Sequence, residues 1–189
     1  MKKYFLMIML FVSIGVMAQD KPALENTAEL MVTNTVAGNF ESVANGTYPK
    51  IFEVMPKEKM MEGLKQMLNG DGFSILLLKT DPKFEYGPIK KVDDGWYCLV
   101  KHDMLMKMTF KDPVNDADSK TMIQNLKTAM QTNDISFEAK SNSFIIKKRV
   151  DVVFANDKLT NKKWKYLNKS SNNLMAKMFE PEVLKALGI

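Results

Sequence analysis

The sequence contains a single cysteine, Cys98, and a single histidine, His102, among its 189 residues. One cysteine cannot form a disulfide bond within the chain. One imidazole excludes sites that need two histidines, which include most zinc sites. The sequence also lacks a Gly-rich phosphate loop, a nucleophile elbow, and the CxxC and HExxH patterns of redox and zinc sites. No motif therefore assigns the chain to a common enzyme class.

An excess of charge of one sign is also missing. The formal net charge is +5, and it falls to about +3 without Lys2 and Lys3. Such a small charge does not indicate a nucleic-acid-binding surface. The most basic stretch, "KLTNKKWKYLNK" (158–169), alternates lysines with aromatic residues, which is typical of a strand with one solvated face. We therefore expect no nucleic-acid partner.

The first nineteen residues, "MKKYFLMIMLFVSIGVMAQ", have the pattern of a secretory signal peptide. Two lysines precede an apolar run from Phe5 to Met17, and a small residue, Ala18, follows. This run is shorter than the roughly 18–20 residues of a membrane-spanning helix. We predict a signal peptide at 1–19, no membrane span, and export to the periplasm or extracellular space. Residues 20–189 then have the length of one domain.

Hydrophobic periodicity outlines the elements of this domain. Helical spacing over 24–36 predicts a first helix, for which Asn45 and Gly46 form a plausible stop. It also predicts helices from Pro56 to 68, over 122–130 and at the tail, 181–187, with Asp116, Asp118 or Ser119 available to cap the third. Period-two spacing and turn signals predict about six strands, at 73–79, 83–92, 96–110, 135–139, 143–155 and 163–167. Long strands joined by tight turns favour an α+β fold with a mainly antiparallel sheet and helices on one face.

This order of elements resembles a known fold, as do the segments "FESVANGTYPKIFEVMPKEKMMEGLKQMLNG" and "GWYCLVKHDMLMKMTF". It is similar to the cone-shaped fold of the ketosteroid-isomerase and nuclear-transport-factor-two superfamily, within the cystatin-like group. The resemblance implies N-terminal helices on the concave side of a curved sheet, in an exported bacterial member. The superfamily includes isomerases, dehydratases, hydrolases, transport factors and exported binding domains. Fold alone therefore implies no particular activity.

The longest predicted strand, 96–110, alternates two kinds of side chain. The uncharged set contains Trp96, Cys98, Val100, His102, Met104, Met106, Met108 and Phe110. The other set carries the charges of Lys101, Asp103 and Lys107. The methionine side is therefore predicted to point inward, and Cys98 is predicted to be buried with it.

Two interpretations of these methionines are open. Thioethers and imidazole suit Cu(I), so His102, Met104 and Met106 could form a metal site that resembles the motifs of exported copper-handling proteins. However, residues 20–189 contain 12 methionines against 15 leucines, and methionine fills apolar helix positions too. Because unbranched methionine packs irregular interiors well, the composition favours an ordinary core. We predict no cofactor.

His102 is either a hydrogen-bonded core residue or part of a site. The resemblance implies that the concave sheet face lines the cavity, where an inward histidine could act as an acid or base. Asp103 and Asp151 are predicted to face the other way, which leaves only Glu85 and Tyr86 as candidate partners. A catalytic pair cannot be assembled from the spacing, so catalysis is the weaker hypothesis.

The sequence thus predicts an exported, non-catalytic binding module. A small apolar or amphipathic ligand, or a partner protein, would contact Trp96, Val100, His102 and Met104. The alternatives are a small isomerase- or dehydratase-type enzyme with His102 as base, a Cu(I)-binding protein, and an interaction scaffold with a filled core.

Overall fold

The computed structural model describes residues 21–189, so the predicted signal peptide lies outside the described residues. The helices in this range are α1 (21–36), α2 (Phe40–Gly46), α3 (Lys57–Leu68), α4 (Asp116–Met130), α5 (Asn172–Met178) and α6 (Pro181–Leu187). The strands are β1 (Asn69–Gly70), β2 (Phe73–Leu78), β3 (Glu85–Tyr86), β4 (Lys90–Val92), β5 (Gly95–Phe110), β6 (Ile135–Glu138), β7 (Ser143–Asn156) and β8 (Lys165–Asn168). The α+β class is confirmed.

Two long strands, β5 and β7, form the centre of an open antiparallel sheet. They pair from Trp96 and Asn156 at one end to Thr109 and Ser143 at the other. On its other side β5 pairs in succession with β4, β3 and β2, while β7 pairs with β8 and β6. Because β5 and β7 are much longer than their neighbours, the sheet has two ends with different coverings.

The eight strands differ from the predicted six for local reasons. Pro88, which has no N–H to donate to a ladder, divides the predicted strand 83–92 into β3 and β4. The "NGDG" segment contributes a strand as well as a helix end. There β1 pairs with β2 across a turn in which Gly72 has φ +88°, a conformation that favours glycine.

Helices cover both faces of the sheet, which corrects the expectation of one face. On face A, defined as the side of β5 that carries Cys98 and His102, α1 packs through Leu24, Ala28 and Met31. Helix α4 packs on the same face near Met106 and Met108 through its partly buried apolar residues, Met122, Ile123, Leu126 and Met130.

Face B, the opposite side, is covered at the Tyr97 end by α5, α6 and the short 3-10 helix Pro49–Glu53. The reason is in the strands, because both alternating sets are apolar at this end. Tyr97 and Val153 point to face B, while Cys98 and Val152 point to face A, and all four are buried. Most of the buried apolar side chains lie at this doubly covered end, which therefore forms most of the core. Full burial of one such side chain contributes about 1.5–3 kcal/mol.

Helix boundaries also differ from the prediction at particular residues. Gly38, with φ +67°, and the N-cap Asn39 end α1 and start α2, where the sequence suggested one helix continuing to Asn45. Asn115 caps α4 by accepting a hydrogen bond from the Asp118 N–H at 2.9 Å, in place of the three predicted candidates. Helix α5 was not predicted, whereas α6 lies as expected.

Candidate functional site

The predicted site residues all lie on face A, in a row along β5 that places Trp96 about 26 Å from Met104. Val100 is fully buried, and Met106 and His102 are 5% and 7% exposed, while Trp96 and Met104 are partly buried. The inward orientation predicted for the methionine side of β5 is therefore confirmed. Cys98, also on this side, is fully buried as predicted.

His102 lies between the two helix-covered regions of face A. Its neighbours on the same side of β5 are Val100, in the cluster beneath α1, and Met104, which packs against the cluster beneath α4. Its partner across the β5–β7 ladder is Val150. The ring of Phe84 lies 5.9 Å from the imidazole, centroid to centroid. The imidazole is thus surrounded by apolar side chains, of which Val100 is fully buried and the other three are partly exposed.

The hydrogen bonding of His102 fixes its tautomer. Nδ1 lies 3.1 Å from the main-chain oxygen of Asp103, and because a carbonyl can only accept, Nδ1–H is the donor. Burial lowers the pKa of His102, and the charge of Arg149 lowers it further against the opposing effect of Asp103. The imidazole is therefore neutral near pH 7, with its lone pair on Nε2.

Nε2 remains available to a ligand. In residues 21–189 no side-chain or main-chain group donates to it, and every fully buried side-chain polar atom in that range has a hydrogen-bond partner. It follows that Nε2 keeps some access to solvent. A buried, neutral acceptor with an apolar surround is suited to receive one hydrogen bond from an otherwise apolar molecule.

The acidic residues weighed as partners for His102 are engaged elsewhere. Asp103 points to face B, where its carboxylate lies 2.9 Å from Arg149 and 3.8 Å from Lys147. Glu85 also binds Arg149, at 2.9 Å. Asp151 is 3.7 Å from Lys169. None of the acidic residues weighed as partners therefore pairs with His102, and the predicted lining residues share one face of β5 without forming a compact group.

Tyr86 lies on face A, as the partner of Val100 in the β3–β5 ladder. Burial raises its pKa to about 12, with a further contribution from Glu25 and Glu29 of α1. Its hydroxyl is therefore protonated at neutral pH and near the acidic side of α1. The described residues contain no group of three or more His, Cys, Asp or Glu side chains that could hold a metal.

A second polar cluster, which sequence reasoning missed, lies on face B. The Tyr48 and Tyr97 hydroxyls both donate to Oδ2 of Asp157, at 2.8 and 3.3 Å. The Thr160 N–H donates to the other oxygen, Oδ1, at 3.0 Å. All four residues are buried, and Tyr48, Tyr97 and Asp157 line a cavity of about 230 Å³. Tyr48 and Asp157 are 109 residues apart, so no local pattern could reveal the cluster.

Local structure positions this cluster. Gly95, after the turn between β4 and β5, allows the Tyr97 ring to fold back, since a Cβ there would lie 2.5 Å from the Tyr97 hydroxyl. Tyr48 is held by its N–H, which donates to the Tyr166 carbonyl at 2.8 Å. Burial raises the pKa of Tyr48 far above its usual value and that of Tyr97 to about 12, with Asp157 contributing to both. Both phenols therefore act as neutral donors.

No protein-family model matches the sequence, and no curated protein shows significant similarity to it. Within residues 21–189, no helix combines the length and the apolar character needed to cross a bilayer. Functional inference therefore depends on the geometry of the two faces.

Proposed function

We propose that the protein is an exported binding module of the cone-fold type that holds a small apolar or amphipathic ligand on face A, around His102. Met104 would contact the apolar part of the ligand, fully buried Val100 would support the site from beneath, and a single donor group would reach Nε2. Trp96 lies six residues, or about 20 Å, along β5 from His102, so a small ligand at Nε2 would not reach it. The observation that carries the proposal is the neutral, buried imidazole whose remaining acceptor atom is unused among the described residues. The antiparallel α+β architecture agrees with the cone-type resemblance.

Binding is favoured over catalysis because of how His102 is oriented. A histidine that acts as a base is commonly oriented by a carboxylate, which stabilises the imidazolium as it forms. Here burial and the nearby Arg149 disfavour the protonated ring, and they outweigh the Nδ1–H bond to the Asp103 carbonyl, which favours it. This arrangement stabilises the neutral imidazole, which suits an acceptor of a hydrogen bond more than a site that must gain and lose a proton.

Because His102 is the only histidine, its NMR signals report on this site without assignment ambiguity. We would titrate the protein with the amphipathic dye 8-anilinonaphthalene-1-sulfonate and follow the imidazole resonances and dye fluorescence in parallel. The proposal predicts that both change with one dissociation constant, and that His102→Leu weakens binding about fivefold, the effect of one lost hydrogen bond.

The matched control is Leu76→Ala, which removes an apolar side chain that is 59% exposed on face B. It should leave dye affinity unchanged. Dye fluorescence that saturates without moving the imidazole signals, or no dye binding at all, would contradict the proposal. N-terminal sequencing of exported protein tests the localisation, with a start near Asp20 as the expected result.

A further inference from the structure

The cavity on face B lies at the Tyr97 end of the sheet, on the opposite side from His102. It is bordered by the β4–β5 turn, the end of β7 and the connection between α5 and α6, it is open to solvent on one side, and its volume is about 230 Å³. That volume corresponds to about eight waters at liquid density, so it fits a small molecule. Asp157, Tyr48, Tyr97 and Phe179 line its buried part.

The buried part of this cavity carries a negative charge. Asp157 is 8% exposed, and its carboxylate is stabilised by three neutral donors: the two phenols and the Thr160 N–H. None of the ion pairs within residues 21–189 includes Asp157. Hydrogen bonds stabilise this anion without cancelling its charge, so the cavity attracts a cation.

Aromatic rings form the second part of the lining. The Tyr48 and Phe179 rings stack with centroids 4.8 Å apart, and Tyr97 meets Phe179 edge-on at 6.3 Å. Because both phenols stay protonated, these rings are neutral π systems. Aromatic rings near a desolvated cation stabilise it by about 2 kcal/mol.

Negative charges outnumber positive charges around the cavity. Asp93, Asp94 and Glu180 line the cavity in addition to Asp157, against two lysines, Lys50 and Lys158. One of these, Lys50, lies 3.8 Å from Glu180 and is already paired. This local negative excess occurs in a chain whose net charge is +5. It therefore reflects the arrangement of residues at this cavity and not the overall composition.

We propose that this cavity binds a small quaternary ammonium ligand. A carboxylate has about four acceptor positions, and three of those on Asp157 are occupied by Tyr48, Tyr97 and Thr160. A primary ammonium brings three N–H donors that need acceptors, whereas a quaternary ammonium brings none. A cation that needs charge and aromatic contact but no hydrogen bonds matches what the cavity offers.

The test compares choline with its uncharged carbon isostere, 3,3-dimethylbutan-1-ol, by isothermal titration calorimetry on the full protein. Potassium chloride at equal ionic strength controls for salt. We expect choline to bind at least about tenfold more tightly than the alcohol, since the two differ only in charge. Equal binding of the two compounds, or no choline binding below about 10 mM, would overturn the proposal.

Variants locate the binding. Asp157→Asn preserves shape and removes the charge, and Phe179→Leu removes one ring; each should weaken choline binding about tenfold or more. Asp71→Asn, an exposed carboxylate in the β1–β2 turn, is the matched control and should bind choline as the wild type does. A folded Asp157→Asn protein with unchanged choline affinity would refute the assignment. If Asp157→Asn does not fold, the comparison of choline with the alcohol on the wild type and the choline affinity of Phe179→Leu still test the proposal.

The two sites can be tested independently because they lie on opposite faces of the sheet. Choline bound in the face B cavity should leave the His102 resonances in place, and a choline-induced shift of those resonances would contradict the location. Conversely, failure of the dye titration at His102 has no bearing on the calorimetric comparison.

Discussion

Cys98 shows how burial controls the chemistry of a single side chain. Its thiol donates to the Gly87 carbonyl at 3.3 Å, and burial raises its pKa to about 11. Since the thiolate is the reactive form, both access and ionisation are suppressed. We expect 5,5′-dithiobis(2-nitrobenzoate) at pH 8 to react with the native protein at least about 100-fold more slowly than with protein in guanidinium. Equal rates would contradict the burial of Cys98.

His102 should make stability depend on pH. Its pKa is lowered in the folded protein, so as pH falls the unfolded chain takes up a proton before the folded one does. Folding stability is therefore full above the unfolded-state pKa of about 6.5 and declines below it, by at most about 1.4 kcal/mol per pH unit. Urea unfolding at pH 8 and pH 5 measures the decline.

Glutamine does not titrate in this range, so the free energy of unfolding of His102→Gln should differ less between pH 8 and pH 5 than that of the wild type. Identical pH dependence in the variant and the wild type would mean that other groups cause the decline. Asp103 and Glu138, whose pKa values are lowered by Arg149 and by Ser141 with Lys107, act at lower pH and are unchanged in the variant.

At the residue scale, the sequence predicted which side of β5 is buried, because successive side chains alternate between the two faces of a strand. Charges on Lys101, Asp103 and Lys107 identified the outer side of β5, and the opposite side proved to be buried. The same reasoning could not find Asp157, because its partners come from a helix connection and from another strand. In the sequence Asp157 follows a strand and resembles an ordinary turn residue.

Among the elements, the loop before α4 depends on Asn142. This residue has φ +49°, and its side chain donates to the Phe110 and Asp112 carbonyls at 2.8 Å and accepts from the Val114 N–H at 2.9 Å. Three hydrogen bonds from one side chain hold the connection between β5 and α4 against the start of β7. Asn also tolerates the left-handed conformation better than most residues.

We expect Asn142→Gly to lower the free energy of unfolding by about 1–3 kcal/mol, because it loses the side-chain bonds and keeps the backbone conformation. Asn142→Ala should cost about 1 kcal/mol more, because alanine disfavours positive φ. Chemical denaturation of the two variants measures the contribution of the side-chain hydrogen bonds and the cost of positive φ for alanine. An alanine variant as stable as the glycine variant would show that the backbone conformation contributes nothing.

The sequence predicted whether a segment forms a helix or a strand more reliably than the residues at which that element begins and ends. Leu24, Ala28 and Met31 marked the buried side of α1 correctly, since their spacing depends on the helix alone. The break at Gly38, the split at Pro88 and the existence of α5 depend on how the ends of elements meet the sheet. Helix α3 illustrates the limit: it forms as predicted, yet none of its residues is fully buried.

Over the whole molecule, the pairing of β5 with β7 has a kinetic consequence. Thr109 and Ser143, at one end of the ladder, are 34 residues apart, whereas Tyr97 and Asp157, near the other, are 60 apart. Closing the longer loop first costs about 0.5 kcal/mol more, and extending an existing ladder avoids that cost. We therefore expect folding to begin where α4 covers the sheet and to proceed along β7 toward Asp157.

Pulse-labelling hydrogen exchange tests this order. Main-chain amides of Phe144 and Ile146 should become protected before those of Val153 and Ala155, and simultaneous protection would contradict stepwise zipping. The Asp157 cluster then assembles last, after the strands beneath it have paired. A chain caught midway would already hold its methionine-rich half together while the aromatic walls around Asp157 were still apart, so ligand capture there could report that folding is complete.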